Sequence, residues 1–201
     1  MVQQMAMKTA EKMSEHSVID PKTIHIYAYG LELLFSSLAG VVALIIISTA
    51  CREPFLWIPY LAGFIPLRLS GGGYHAKTHL RCIFAFSLLY SLVLLVERMC
   101  VIPAKIWLVA CLVNLAIILL FSPVAASNKP LKECQRRTNR WNSLFWGLIN
   151  LFGCVVLVFL FTTKSQWVNM YFAGSSMAGL SMLLAVINNK QERRKLYENN
   201  G

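Results

Sequence analysis

The sequence predicts an all-α integral membrane protein with about six transmembrane helices. Hydrophobic residues make up 57% of the 201 positions, and charged residues make up 14%. A soluble domain of this size usually carries about 25% charged residues. Several apolar stretches are long enough to cross a bilayer, and Lys and Arg cluster in the polar segments between them.

The elements follow in order along the chain. Residues 1–28 are predicted to form an interfacial helical segment, with a turn at Asp20-Pro21 before a new helix start; a partly disordered tail is the alternative. Segment 55–67 is apolar but short, and Pro59, Gly63 and Pro66 interrupt it, so it is a short, broken, tilted or re-entrant second span. The other predicted spans are 30–50, 83–96, 106–121, 143–161 and 167–187.

Charge predicts the orientation. With the N-terminus inside and six crossings, fifteen of the nineteen Lys and Arg residues lie on the inner side. Both termini, segment 68–82 and the basic loop 122–142 are then cytoplasmic. If segment 55–67 does not cross, this parity fails. There is no internal repeat, so one polytopic domain over 1–201 is expected.

Composition also excludes several classes of protein. The net charge of +10 is explained by cytoplasmic loops, and no nucleic-acid-binding motif occurs. The six cysteines are scattered without a CxxC pair, so neither a metal site nor a disulfide framework is expected. Cys111 and Cys154 fall inside apolar spans and are predicted to be packing residues. No cofactor is expected.

Segment 68–82 carries the candidate chemistry. Its three glycines and two histidines form a polar break between apolar spans, and backbone exposed to lipid would lack hydrogen-bond partners. Cys82 is a candidate nucleophile. The cations Arg68, Lys77 and Arg81, together with a helix start capped by Thr78, would favour its thiolate form.

The base paired with Cys82 is a question of geometry. In one continuous helix, His75 and Cys82 would stand roughly 10 Å apart along the axis, too far for a hydrogen bond. His79 and Cys82 would be neighbours, three positions apart. His75 can serve only if residues 71–76 form a loop that folds back, which three glycines allow. Spacing alone does not decide between the two histidines. It is also compatible with a basic loop in which the cysteine has no catalytic role.

Three stretches resemble a known family. Arg68, the Gly72–Ala76 run and Cys82 look like the signature of the AgrB family of membrane cysteine endopeptidases in bacterial quorum sensing. Two weaker stretches, 29–32 and 127–131, are similar to the family as well. Length, hydrophobicity and the order of spans are also similar, so the likeness covers most of the chain.

The resemblance implies an activity and a pair of catalytic residues. In the family, the His and Cys seven residues apart are catalytic, which favours His75 with Cys82 and leaves His79 as the second choice for the base. The implied substrate is an AgrD-type precursor of a signalling peptide. Cys82 would form a thioester with it, and ring closure would give a thiolactone or lactone. The implied location is the bacterial cell membrane, where the protein contacts the lipid bilayer. A homodimer is a further possible assembly.

Other residues have candidate supporting roles. The amides of Gly72 and Gly73, or Arg68, are candidates to stabilise an oxyanion. Three roles are open for Glu32: a solvated carboxylate at the membrane interface, an ion pair with a cation of segment 68–82, or a contact with substrate. Asn128 is a candidate third catalytic group, although a dyad is favoured. Lys129 belongs to the basic loop, which is either a topology signal or a cradle for an acidic peptide.

A non-catalytic transporter or peptide exporter is the alternative function. The polytopic architecture, Glu32 and the basic loop 122–142 are compatible with it. That alternative leaves the spacing of the Gly-Gly-Tyr-His-Ala run and Cys82 as coincidence.

Overall fold

The computed structural model describes residues 2–73, 79–99, 102–124, 132–160 and 166–199. Over these residues the chain is all-helical, with a single isolated β-bridge and no strand, and the predicted fold class is confirmed to that extent. The helices are α1 Val2–Glu15, α2 Ile24–Ala50, α3 Trp57–Gly71, α4 His79–Met99, α5 Ala104–Phe121, α6 Glu133–Leu160 and α7 Gln166–Asn199.

Among the residues that the structure describes, three stretches are long and apolar enough to cross a membrane: Pro21–Ala50, Leu80–Met99 and Gln166–Gln191. Residues Lys105–Phe121 form a shorter apolar helix. Six crossings and cytoplasmic termini stay predictions. The predicted turn at Asp20 is confirmed, because its carboxylate accepts a hydrogen bond from the Lys22 N–H at 2.8 Å at the start of a 3-10 turn that leads into α2.

The chain packs as two compact units, and α4 contributes to both. The first unit comprises residues 1–54 and 76–91. In it, α1 packs along α2, and Ala6 and Ala10 of α1 are buried. The hydroxyls of Ser48 and Tyr90 are also buried and share a hydrogen bond, which joins the end of α2 to α4. The predicted interfacial segment 1–28 therefore contains a helix that packs against α2.

The second unit comprises residues 55–75 and 92–201, and in it α3 and α5 each pack against both α6 and α7. Helix α3 packs closely on α7, with Gly174 against the carbonyl oxygen of Tyr60 and Gly71 against Met182. These contacts advance together along both helices, so α3 and α7 run in the same direction.

Helix α5 runs in that direction too, and α6 runs against it. The Trp107 Nε1–H donates to Asn169 Oδ1 at 2.8 Å, and Asn114 Nδ2 donates to the Ser175 carbonyl at 3.0 Å. The Ser122 and Ser143 hydroxyls share a hydrogen bond of 2.5 Å, which joins the end of α5 to the polar part of α6. The ends of α3 and α5 and the start of α6 therefore meet at one edge of this unit.

Two predicted boundaries are wrong. The basic loop 122–142 is shorter than predicted, because α6 begins at Glu133 and residues 133–142 are helical. Segment 68–82 begins in a helix as well, because α3 continues to Gly71. In both cases hydropathy located the end of the apolar stretch. Straight-chain polar residues such as Gln135 and Arg136 are good helix formers, so the helix continues beyond that stretch.

Candidate active site

The turn that follows α3 is fixed by backbone pairing. The Val124 N–H donates to the Gly71 carbonyl at 2.9 Å, and Gly72 and Val124 form a parallel β-bridge. Gly72 has φ 78° and Gly73 has φ 144°. Both values lie in a region that side chains disfavour, so glycine is the residue this backbone requires. The segment after α5 thus holds the turn after α3.

A Cβ added at any of the three glycines would overlap a neighbouring atom as the chain is packed. A Cβ on Gly71 would overlap Met182 of α7, and a Cβ on Gly72 would overlap the carbonyl oxygen of Val124. A Cβ on Gly73 would overlap Nη1 of Arg68 and the hydroxyl of Ser181. Residues 71–73, called the glycine turn below, are therefore packed on several sides.

Arg68 lies beside this turn. It occupies the last turn of α3, its side chain is half-buried, and Nη1 is enclosed against Gly73. The structure therefore brings together three of the residues predicted to support the site: Arg68, Gly72 and Gly73. Their contact supplies a guanidinium and turn amides within a small region, which is a chemistry suited to a developing negative charge.

Cys82 lies in the first turn of α4, which begins at His79, so its predicted position near a helix start is confirmed. The cysteine side chain is half-buried and its thiol is free, while the neighbouring Arg81 is exposed. A helix N-terminus carries partial positive charge from unpaired backbone N–H groups, which favours an anionic group there. Cys82 is thus a half-buried free thiol near the start of a helix, and its role as a nucleophile stays a prediction.

The choice of base stays a prediction. His75, Asn128, Lys129 and the predicted cap Thr78 lie outside the described residues. His79 is the first residue of α4, three positions before Cys82. A single helix through the whole of 68–82 is excluded, because α3 ends at Gly71 and the next two residues have non-helical backbone angles.

Glu32 belongs to the first unit. It lies in α2, where its side chain is half-buried and has an interaction partner in the structure. A role for Glu32 toward substrate stays a prediction.

The remaining cysteines differ in their exposure. Cys111 and Cys154 are buried, as predicted for packing residues, and Cys134 is exposed on the first turn of α6. The five cysteines that the structure describes are free thiols. Within the described ranges, no three His, Cys, Asp or Glu side chains come together in a way that could hold a metal ion.

Sequence reasoning missed the residues that hold the glycine turn in place: Val124, Ser181 and Met182. One signal on α7 was available, because Gly174, Ser175, Ala178 and Gly179 form a run of small residues spaced by about one helical turn. Such spacing in an apolar helix indicates close approach of a neighbouring helix. Nothing in the sequence indicated the backbone pairing with Val124.

A family model described as AgrB, Accessory gene regulator B, matches residues 6–186. The chain belongs to the AgrB family. No curated protein and no solved structure matches it. Membership identifies an AgrB-type membrane protein involved in accessory gene regulator peptide processing in quorum sensing, a process in which the family works with an AgrD precursor peptide.

Proposed function

We propose that this AgrB-family chain is a cysteine endopeptidase that cleaves an AgrD-type precursor through a thioester and supports its cyclisation. The observation that carries the proposal is the placement of Cys82, a free and half-buried thiol in the first turn of α4. Family membership supplies the substrate class. The catalytic pair in this proposal is Cys82 with His75, and His79 is the second choice for the base.

The first chemical step is acyl transfer from the peptide to Cys82. His75 takes the thiol proton, and the sulfur attacks the carbonyl carbon of the scissile peptide bond. The tetrahedral intermediate collapses as the C–N bond breaks, and the protonated imidazole gives its proton to the leaving amine. The N-terminal part of the precursor is then held on Cys82 as a thioester.

The second step closes the ring. An internal Cys or Ser of the bound peptide attacks the thioester carbonyl, His75 takes its proton, and Cys82 leaves as a thiol. The product is a thiolactone or a lactone, and no oxidation or reduction takes place. The thioester preserves the activation that hydrolysis would lose. A site that limits the access of water therefore favours ring closure over hydrolysis.

The supporting roles follow from position and chemistry. Arg68 and the amides of the glycine turn stabilise the oxyanion, which is supported by their mutual contact around Gly73. Asn128 and Lys129 are assigned to substrate contact or support of the dyad, and Glu32 to substrate binding or charge pairing. No cofactor takes part in this chemistry.

The proposed setting is the bacterial cell membrane, with six crossings and the active site on the cytoplasmic side. The shared direction of α3, α5 and α7 supports this, because a chain with α3 as a true crossing requires all three to run from the outer to the inner side. The charge distribution supports the same orientation. A homodimer is compatible with this arrangement.

Trapping the acyl-enzyme tests the mechanism. The purified full-length protein is incubated with a precursor whose internal Cys or Ser is changed to Ala. Because ring closure is removed, a covalent peptide adduct should accumulate on Cys82, and hydroxylamine should release it. Intact-mass and peptide mass spectrometry detect the adduct. Normal cleavage with no adduct in this trapped case would show direct hydrolysis instead of acyl transfer.

Cys134→Ala is the matched control, because Cys134 is an exposed thiol on another helix. Its adduct yield should equal that of the unmodified protein, while Cys82→Ser should abolish cleavage. A Cys82→Ser protein that still matures the peptide would favour the alternative function, a transporter or exporter without catalysis.

A further inference from the structure

A groove of about 330 Å³ opens between the last turns of α3 and the first turns of α6. Its apolar lining includes Ile65 and Leu69 of α3 and Trp146 of α6. Its polar lining includes Asn139 and Asn142 of α6. Both helices belong to the second packing unit and pack against each other there. The groove thus offers apolar surface and amide groups side by side.

One end of the groove borders the glycine turn. Ser70, which directly precedes Gly71, is part of the lining. The Ser70 hydroxyl donates to the Pro66 carbonyl at 2.7 Å, so its proton is already used within α3. A molecule in the groove would therefore lie next to the turn that leads toward His75 in sequence, and would find its hydrogen-bond partners on α6.

The two asparagines are the polar groups available to such a molecule. They lie three positions apart on α6 and share one face of the helix. Asn142 is exposed and Asn139 is half-buried, and neither amide bonds to another residue that the structure describes. Each primary amide has donors and an acceptor, which matches a peptide group with its N–H and C=O. A phosphate offers only acceptors, and an acyl chain offers neither.

Charge sets a further condition on the occupant. Arg136 lies three residues before Asn139 on the same face of α6, and its side chain is exposed. Lys132, just before the helix, is exposed as well. Glu133 in the first turn of α6 offsets one of these charges, and the net positive charge that remains at this end of the groove favours a neutral or acidic segment over a basic one.

We propose that this groove binds an extended segment of the precursor peptide, with peptide groups on Asn139 and Asn142 and an apolar side chain against Leu69 and Trp146. The inference rests on the proposed function, because it takes the processed precursor as the occupant. It assigns substrate binding to residues of α6, within the region that the sequence predicted to be a loop.

Photocrosslinking tests occupancy without requiring catalysis. The probe is the cognate AgrD-type precursor with an affinity tag, added to full-length Cys82→Ala protein in phosphatidylglycerol nanodiscs. A benzophenone amino acid at position 142 or at position 69 should crosslink to the peptide. The same group at Arg137, on the opposite face of α6, should not. Adducts with lipid alone, adducts with a second copy of the chain alone, or no adduct would each overturn the proposal.

Kinetics of the active protein give an independent readout. Asn139→Ala with Asn142→Ala should raise KM for the precursor about tenfold and leave kcat within about twofold, because two modest hydrogen bonds to bound peptide are lost. Arg136→Ala should raise KM, whereas Arg137→Ala, a neighbouring cation on the other face, should leave it unchanged. An unchanged KM in the double variant would overturn the proposal. Peptide adducts without any cleavage by the unmodified protein would support the groove and overturn the proposed peptidase function instead.

Discussion

At the residue scale, two histidines compete for one role. Spacing leaves both open, because His79 is a helical neighbour of Cys82 three positions away, whereas His75 can reach Cys82 only through a loop that folds back. The resemblance to the family motif favours His75. The structure excludes one continuous helix through segment 68–82, because Gly72 and Gly73 have non-helical backbone angles and allow a loop before α4. A loop can return toward a helix start, whereas a continuous helix cannot.

Substitution of each histidine by alanine decides which of the two is the base. His75→Ala should lower the rate of precursor cleavage by at least about 100-fold, the loss typical of a removed general base. His79→Ala should retain most of the rate. Cleavage is measured on purified protein by mass spectrometry of the released fragments. The reverse outcome would assign the base to His79.

The glycine turn gives a second prediction at this scale. Gly73→Ala should destabilise the turn by about 1–3 kcal/mol and reduce cleavage, because φ 144° is unfavourable for alanine and the new Cβ meets Arg68 and Ser181. Gly153→Ala in α6 is the control, since a Cβ there meets nothing within 4 Å. Thermal unfolding and cleavage are measured on both. Equal unfolding temperatures and equal cleavage rates for the two variants would show that the turn does not depend on glycine at position 73.

The candidate site could be predicted from the sequence only in part. The residue types in segment 68–82 indicated nucleophilic chemistry, and the position of Cys82 near a helix start followed from Thr78 and the apolar stretch that begins at Ile83. The contacts of Gly73 with Arg68 and Ser181 could not be predicted. Ser181 lies more than one hundred residues away in sequence, and only tertiary packing brings it there.

At the element scale, the packing of α3 on α7 depends on backbone contact. A Cβ on Gly63 would overlap the carbonyl oxygen of Tyr171, and a Cβ on Gly174 would overlap that of Tyr60. Backbone atoms inside a helix cannot move aside as a side chain can, so the helices would have to separate. Small residues at such positions are the usual means by which membrane helices approach closely.

Alanine at these positions should therefore be costly. Gly63→Ala and Gly174→Ala are each expected to destabilise the protein by about 1–3 kcal/mol, the typical cost of overpacking. The opposite sign is expected for Gly153→Ala, because alanine favours an open helical position by about 0.5–1 kcal/mol. Thermal unfolding in detergent micelles measures all three. Unchanged stability of the Gly63 and Gly174 variants would contradict close α3–α7 packing.

Sequence reasoning identified the elements better than their ends. Each predicted span corresponds to a helix, and residues 57–67 of the interrupted segment 55–67 lie in the single helix α3. Pro59 causes little disruption, because it is the third residue of α3, where backbone N–H groups have no helical partner in any case. The polar first turns of α6 were missed, because periodicity of apolar residues is absent from Lys132 to Arg140.

At the scale of the whole molecule, direction and charge agree. Contacts within the second unit show that α3, α5 and α7 run one way and α6 the other. The positive-inside rule separately predicts that the ends of α3, α5 and α7 are cytoplasmic. The two arguments are independent, since one uses contacts between helices and the other uses the distribution of Lys and Arg along the sequence. A single domain with six crossings stays a prediction that this agreement supports.

Labelling of single cysteines in intact cells tests the orientation. Cys134 is exposed at the start of α6, so in a chain whose only cysteine is Cys134 a membrane-impermeant maleimide should fail to react until the cells are permeabilised. Cys51, at the end of α2 on the predicted outer side, should react in intact cells. The two thiols are predicted to face opposite sides of the membrane, so each serves as the control for the other. Labelling of Cys134 from outside would place α6 in the opposite direction and move the glycine turn, which lies at the same edge, to the cell exterior.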